Sequence, residues 1–294
     1  MTAVDKAATK LRGKTPVLLV LPTFIHFCLF FIAPLCLLLV YSFYRFVPGG
    51  AMEETFVLEN YAKFILDPYY RGIVRDTILL GAEVAFFTLI LGYPLAYKLA
   101  RTRSRFKGFL YLLVVMPLLT SAVVRTYGWM VILSRNGIVN SLLLKWGFIE
   151  QPLRLMYNRL GVVIGLTEVL LPFMTLALES VLRNMDPALE EAAHDLGANS
   201  LQTFLRVTLP LSLPGVATGS VLVFIMAISA FVTPTLMGGP QVRVLSTVVY
   251  EQALSLVNWP FSAAVAFTLL ALVGVLIFVY NKLLISGKSW EVAQ

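Results

Sequence analysis

The chain has 294 residues, of which 59% are hydrophobic and 13% are charged. A soluble domain averages roughly 25% charged residues, so the composition excludes an ordinary soluble protein and indicates an integral membrane protein. The formal net charge of +7 does not require nucleic acid as a partner, because cations beside the anionic headgroups of a lipid bilayer account for it.

Six apolar runs are long enough to cross a bilayer, which takes about 20 apolar residues. The runs cover residues 16–44, 77–100, 108–133, 160–182, 213–236 and 260–284. The first run is too long for the apolar region of a signal peptide, which has about 7–15 residues, so we expect it to be retained. The sequence therefore predicts an all-α integral membrane protein with six transmembrane helices.

Positive charge is densest between the second and third runs, at residues 98–107. Lysine and arginine next to membrane spans favour the cytoplasmic side. This rule places both termini in the cytoplasm, together with the polar stretch between the fourth and fifth runs.

Motifs that carry catalytic chemistry are missing from the sequence. It contains no HExxH, CxxC or GxSxG motif. Residues 13–15 and 287–289 resemble the end of a phosphate-binding P-loop but lack its first glycine, so neither is expected to bind nucleotide. Cys28 and Cys36 lie roughly 12 Å apart along one predicted helix, which is too far for a disulfide. We expect no enzymatic activity, no metal site and no cofactor bound by this chain.

The stretch EEAAHDLGANSLQTFLRVTLP, at residues 190–210, is unusually polar for this chain. Residues 186–187 favour a helix start, and Gly197 favours a left-handed helix end. A second short helix, capped within 199–200, is expected to stop at Pro210. Two interpretations are open: a helix that inserts into a groove on a partner, or a solvated loop.

The spacing within this stretch resembles the signature loop of ABC importer permeases, written E-A-A, three residues, G, nine residues, I-x-L-P. The matching residues are Glu191, Ala192, Ala193, Gly197, Leu209 and Pro210, with Val207 in place of isoleucine. The resemblance implies a coupling helix that docks into a cleft on a separate ATPase. Glu190, Glu191 and Asp195 would then be polar anchors, and the two alanines would permit close approach.

Residues 123–143, 231–252 and 257–267 resemble permeases of the spermidine/putrescine type. This resemblance implies a type I ABC importer with a MetI-like, six-helix permease in the bacterial inner membrane. It also implies several partners: two ABC ATPase subunits that bind ATP and Mg²⁺, a second and different permease chain, and a periplasmic solute-binding protein.

Two alternatives remain. The cargo is either a polyamine or another small organic solute, because fold does not fix the ligand. A secondary transporter or channel working alone would explain the six spans but not the spacing of the signature loop.

On this reading the chain divides into five parts. These are a cytoplasmic tail at 1–15, a first transmembrane helix at 16–44, a periplasmic segment at 45–76, a permease core at 77–285 with five helices and the coupling loop 186–210, and a second cytoplasmic tail at 286–294. Residues 45–76 and 141–150 contain amphipathic stretches. These either meet the binding protein or lie on the membrane surface.

Three charged residues fall within predicted spans, and such residues are candidates for function. Glu83, Arg125 and Glu168 lie roughly 10–14 Å below the outer surface, in one layer. They either line a cavity with net negative charge for a cationic substrate, or form an ion pair between Arg125 and one of the glutamates. Tyr127 and Trp129 are either interfacial aromatics, which we favour for Trp129, or cavity walls that bind an ammonium group.

Overall fold

The computed structural model describes residues 15–49, 51–102 and 104–287. Within these residues the chain is mostly helical, with thirteen α-helices and one short two-stranded hairpin. The α-helices are α1 Thr15–Phe27, α2 Ala33–Tyr41, α3 Glu59–Leu66, α4 Pro68–Arg101, α5 Lys107–Val115, α6 Ala122–Leu133, α7 Ile138–Lys145, α8 Arg159–Asn184, α9 Ala188–Asp195, α10 Ser200–Thr203, α11 Leu209–Ser229, α12 Leu245–Tyr250 and α13 Trp259–Gly287. The strands β1 Arg45–Val47 and β2 Ala51–Glu53 pair in an antiparallel manner.

Shorter helical turns join several of these elements. They are the π-turns Cys28–Ile32, Phe204–Thr208, Pro234–Gly238 and Glu251–Ser255 and the 3₁₀ turns Met116–Leu119 and Gly239–Gln241. Five helices are long and apolar enough to cross a membrane, and a sixth span results if one bent pair of helices is counted together. The prediction of a six-helix membrane protein is confirmed.

The third predicted span is not one straight helix. It bends by 99° between Lys107–Leu119 and Ala122–Lys145. Pro117 cannot donate a backbone hydrogen bond, and the extended backbone of Thr120 and Ser121 directs the chain away from the first half. The prediction of a continuous helix at 108–133 was therefore wrong.

The second short helix of the coupling loop does not stop at Pro210. The chain stays helical from Ser200 to Ser229. A π-turn at Phe204–Thr208 comes just before Pro210, and its wider spacing leaves room for the proline ring. The coupling loop therefore continues directly into the fifth span, which ends at Ser229 rather than at 236.

The core of the bundle is formed by α4, α8 and α11, which pack against one another along their lengths. Two glycines allow this close packing. A Cβ atom on Gly81 would lie 2.5 Å from Ile228 Cγ2, and one on Gly219 would lie 2.7 Å from Met174 Sδ. Small residues at such crossings let membrane helices approach closely, so substitution here would separate the helices that carry the site.

The first span lies on the outside of the bundle. No side chain within its apolar window Val20–Tyr41 is buried. The two cysteines it carries are free, as predicted. Such a span suits contact with lipid or with another membrane subunit.

The predicted periplasmic segment 45–76 contains the hairpin, α3 and the first turns of α4. The side-chain amide of Asn60 donates hydrogen bonds of 2.9 Å to the carbonyls of Ser42 and Tyr44, which fixes α3 to the end of the first span. The predicted start of the second span at residue 77 was nine residues late, because α4 begins at Pro68. Residues 1–14, Arg103 and residues 288–294, which include most of the predicted tails and P-loop-like fragments, lie outside the described residues.

Candidate coupling segment and transport cavity

Helix α9 of the coupling loop is held at both ends by local hydrogen bonds. Asp186 Oδ1 accepts the N–H of Ala188 at 2.9 Å, and Gly197 ends the segment with a φ of +87°. The next helix begins with a capping box, in which Asn199 and Gln202 each accept the other's backbone N–H. The predicted pair of helices at a glycine corner is confirmed.

Most of α9 faces away from the bundle. Glu191, Ala192 and Asp195 are exposed, and the neighbouring Leu196 is 90% exposed. The other residues of the signature are less uniform: Ala193 and Leu209 are half-buried, whereas Pro210 is exposed. Acidic and apolar side chains thus share one free surface, as a docking helix requires.

Glu190 differs from its neighbour Glu191, because its carboxylate contacts the helix bundle instead of facing away from it. Its side chain is only 12% exposed, and Oε1 lies 3.1 Å from Arg101 Nη2. The hydroxyls of Thr208 and Tyr97 donate to this carboxylate at 2.9 and 3.2 Å. The expectation that Glu190 contacts an ATPase is corrected by this geometry. The sequence showed two adjacent acids but not which one faced inward.

A cavity of about 730 Å³ lies between α4, α6 and α8. Its wall is largely apolar, with charged groups at a few positions. The lining residues are Glu83, Phe87, Leu91, Trp129, Arg159, Leu160, Val163, Ile164, Thr167, Glu168 and Leu171. An apolar pocket with a few placed polar groups is the usual form of a small-molecule site.

The predicted layer of charges is present, but its pairing differs from the expectation. Arg125 Nη1 lies 3.8 Å from Glu168 Oε1, as one interpretation predicted. Glu83 pairs instead with Arg159, whose Nε donates to Glu83 Oε2 at 2.8 Å. Two carboxylates thus face two guanidinium groups, which supports the ion-pair interpretation and removes the net negative charge that the other interpretation assigned to this layer.

Arg159 was missed because the sequence placed it in an outer loop. Asn158 caps α8 by accepting the N–H of Gly161 at 2.9 Å, which makes Arg159 the first residue of the helix. From there its side chain reaches Glu83 on α4. An Asn-Arg pair just before an apolar run was the available signal.

Several polar atoms in this layer are buried and have no hydrogen-bond partner among the described residues. They are Arg125 Nε and Nη1, Arg159 Nη2, Thr167 Oγ1 and Glu168 Oε2. Buried polar atoms normally have a protein or water partner, so each of these has capacity for water or a polar ligand. Three of the four residues line the cavity.

The two aromatic candidates separate in the structure. Trp129 is half-buried on the cavity wall and packs against the core, as the alternative interpretation requires, whereas its place at the membrane interface stays a prediction. Tyr127 is 54% exposed and is not among the residues that line the cavity. Both residues lie on α6, and positions two apart are about 200° apart around a helix, so these two neighbours lie on different faces.

Comparison with known proteins identifies the family. Residues 88–285 match the family described as "Binding-protein-dependent transport system inner membrane component". The chain belongs to this family. The match covers the coupling loop, Arg125 and Glu168, whereas Glu83 lies just before it.

Similar curated proteins include spermidine/putrescine transport system permease proteins named PotB. The relative from Salmonella typhimurium is 35% identical over 252 residues, which cover 86% of this chain and 88% of the relative. The one from Haemophilus influenzae is 36% identical over 258 residues, or 87% and 90%. The inner membrane ABC transporter permease YdcU of Escherichia coli is 32% identical, and the match covers 79% of this chain and 76% of that relative.

Solved structures share the fold of this permease. A bacterial alginate ABC transporter chain superposes with a TM-score of 0.74 at 18% identity, covering 93% of this chain and 95% of that one. A chain of the MetNI methionine ABC transporter superposes with a TM-score of 0.57 at 17% identity, and the match covers 75% of this chain and 98% of that one. The predicted MetI-like permease fold is confirmed, and the chain is an inner-membrane component of a transport system.

One further acid of this permease escaped the sequence analysis. Glu179 on α8 is 4% exposed and accepts a hydrogen bond from the hydroxyl of Tyr111 on α5. Arg183 lies 3.8 Å away, one turn further along α8. The argument that singled out Glu83 and Glu168 also applies to Glu179, because it lies within a predicted span. Its contacts tie α5 to α8 outside the cavity.

Proposed function

We propose that this chain is the transmembrane permease subunit of an ATP-driven importer that moves a polyamine, spermidine or putrescine, across the inner membrane. The observation that carries the coupling role is α9, an exposed acidic helix that is joined by residues 196–199 to a second helix, and this second helix continues into a membrane span. The cargo is supported by relatives at 35–36% identity over most of both chains. Transport proceeds by alternating access, in which partners shift the populations of two helix arrangements.

The proposed complex contains several further subunits. Two ABC ATPases bind and hydrolyse ATP with Mg²⁺, one of them docking on Glu191 and Asp195 of this chain. A second, different permease completes the path, and a periplasmic binding protein delivers the solute. Both termini and α9 lie in the cytoplasm, on the side indicated by the lysines and arginines at 98–107. This chain itself binds no cofactor.

The cavity is the proposed half-path for the substrate. A polyamine carries ammonium groups on a flexible apolar chain, which matches carboxylates set in an apolar wall. Glu83 and Glu168 would receive the ammonium groups, while Arg159 and Arg125 compete for the same carboxylates. Trp129 offers a ring face to a cation. The pairs hold the carboxylates in place until a competing cation arrives.

The first test is uptake of radiolabelled spermidine and putrescine in cells with and without this gene, with the remaining transporter genes intact. Uptake that depends on the gene supports both importer and cargo. If polyamine uptake is unchanged while uptake of another small organic solute is lost, the cargo is wrong and the importer stands.

The second test concerns the coupling helix. Glu191→Arg should abolish co-purification of the ATPase with the permease and abolish uptake, because it reverses the charge of an exposed anchor. Arg105→Glu, a charge reversal at an exposed arginine outside residues 186–210, is the matched control and should behave as the unaltered protein. If the unaltered permease purifies without any ATPase, the protein is instead a secondary transporter.

A further inference from the structure

We propose that Arg101 and Glu190 form a latch that transmits movement of the coupling helix α9 to the helices that line the cavity. This inference rests on the proposed function, in which α9 docks on the ATPase, and it names positioning residues that connect docking to the transport path. The latch is defined as Arg101 and Glu190 with Tyr97, Thr208 and the carbonyl of Met185.

Packing alone does not hold α9 to the bundle. No residue of this helix is buried within the described chain. Only residues 185–187 join it to α8, and residues 196–199 join it to α10. A short helix connected to the bundle only through its two ends could tilt under load without moving the spans, so a further connection would improve mechanical coupling.

The latch supplies that connection. Glu190 accepts hydrogen bonds from Tyr97 near the end of α4 and from Thr208, directly before α11. Arg101, at the last position of α4, lies 3.1 Å from the same carboxylate. Charged groups in such partly dehydrated sites make stronger hydrogen bonds than exposed groups do.

Arg101 also connects α9 to α8. Its Nη1 donates to the carbonyl of Met185 at 3.0 Å, at the C-terminal end of α8. A cation is favoured there because the last carbonyls of a helix carry partial negative charge. One guanidinium group therefore bridges the ends of α4 and α8 and the carboxylate of α9, and its side chain is only 18% exposed.

The same helices carry the cavity. Glu83 lies 18 residues before Arg101 on α4, roughly 27 Å along the helix axis, and Thr167 and Glu168 lie on α8. Because α4 and α8 pack closely along their lengths, a displacement at their coupling ends moves the cavity wall. In this proposal the exposed Glu191 contacts the ATPase, whereas the adjacent Glu190 contacts the bundle. Docking and the transmission of movement are therefore carried by two neighbouring residues.

The test uses the complete importer, with its binding protein, reconstituted into lipid vesicles. It compares Arg101→Met, Glu190→Gln and the charge exchange R101E/E190R. Arg105→Met is the matched control, because it replaces an exposed arginine in the loop that follows Arg101. For each variant, ATPase co-purification, the rate of ATP hydrolysis and the rate of polyamine uptake are measured below the unfolding temperature.

We expect both single variants to retain the ATPase subunits and to hydrolyse ATP, while uptake per ATP hydrolysed falls about tenfold, within the usual range of coupling effects. The charge exchange should recover part of the uptake, and Arg105→Met should stay within about twofold of the unaltered protein. Uptake per ATP that is unchanged in the single variants would overturn the latch. Parallel loss of ATPase binding and uptake would also overturn it, by indicating a purely structural role. If no ATPase binds the unaltered permease, the proposed function fails first.

Discussion

Two groups of charges involve helix α4 but differ in how completely their carboxylates are paired. At its coupling end, both carboxylate oxygens of Glu190 have partners, and the pair with Arg101 is 12–18% exposed. In the cavity, the pair of Glu83 with Arg159 is 35–42% exposed. The neighbouring pair of Arg125 with Glu168 is separated by 3.8 Å and leaves the carboxylate oxygen Glu168 Oε2 without a hydrogen-bond partner among the described residues, whereas at the coupling end Arg101 Nε and Nη2 lack one.

The difference indicates two roles for ionisable groups in one membrane protein. A carboxylate whose acceptors are filled by its own chain is fixed and has no capacity for a ligand. A pair that is loose or exposed keeps capacity to bind something else, because water or a cation can displace one partner. The coupling end is thus suited to transmission, and the cavity is suited to exchange.

The largest effect on stability is expected at the coupling end. Arg101→Met leaves the Glu190 carboxylate, which is only 12% exposed, without its cation, so the cost should approach the roughly 3–5 kcal/mol of breaking one partner of a buried pair. At about 2 °C per kcal/mol for a chain of this size, the thermal unfolding midpoint in detergent should fall by about 6–10 °C. A fall below about 2 °C, equal to that of the control Arg105→Met, would mean that the cluster is as weak as a surface pair.

A smaller change in stability with a clear change in transport is expected in the cavity. Glu168→Gln removes a charge that would receive an ammonium group, and a hydrogen bond to a charged group contributes about 1.5–3 kcal/mol, so uptake of spermidine should fall about tenfold. Glu150→Gln, at an exposed acid, is the control. Gel filtration should find the variant complex intact. Dissociation of the subunits would show instead that Arg125 and Glu168 hold the spans together.

The smallest effect on stability is expected for Arg159→Gln. Its pair with Glu83 is partly exposed, and such pairs contribute about 0–1 kcal/mol. The unfolding midpoint should stay within about 2 °C of that of the unaltered protein. A fall comparable with that of Arg101→Met would place this pair among the fixed contacts and remove the contrast between the two regions.

Much of the coupling loop was predictable, because its signals are local. A proline after Asp186, a glycine at 197 and a cap at Asn199 each act within one or two turns. The end of the second helix was not predictable from Pro210. Whether a helix stops at proline depends on the preceding turn, and here that turn adopted π geometry.

The candidate site was predictable in its residues but not in its contacts. Glu83, Arg125 and Glu168 stand out because charge is costly within an apolar run. Their partners depend on how helices far apart in sequence are rotated and placed, and this decided that Arg159 rather than Arg125 meets Glu83. The packing of α6 against the bundle likewise placed Trp129 on the cavity wall and left Tyr127, on another face of the same helix, exposed.

The sequence by itself determined that this protein lies in a membrane and how many spans it has, because the length of the apolar runs carries that information, and local capping signals set the two helices of the coupling loop. Only the tertiary structure decided which of the adjacent Glu190 and Glu191 faces the bundle. That choice is set by Arg101, Tyr97 and Thr208, which reach Glu190 across about 18 to 93 positions of sequence and meet it only when α4, α8 and α11 have packed.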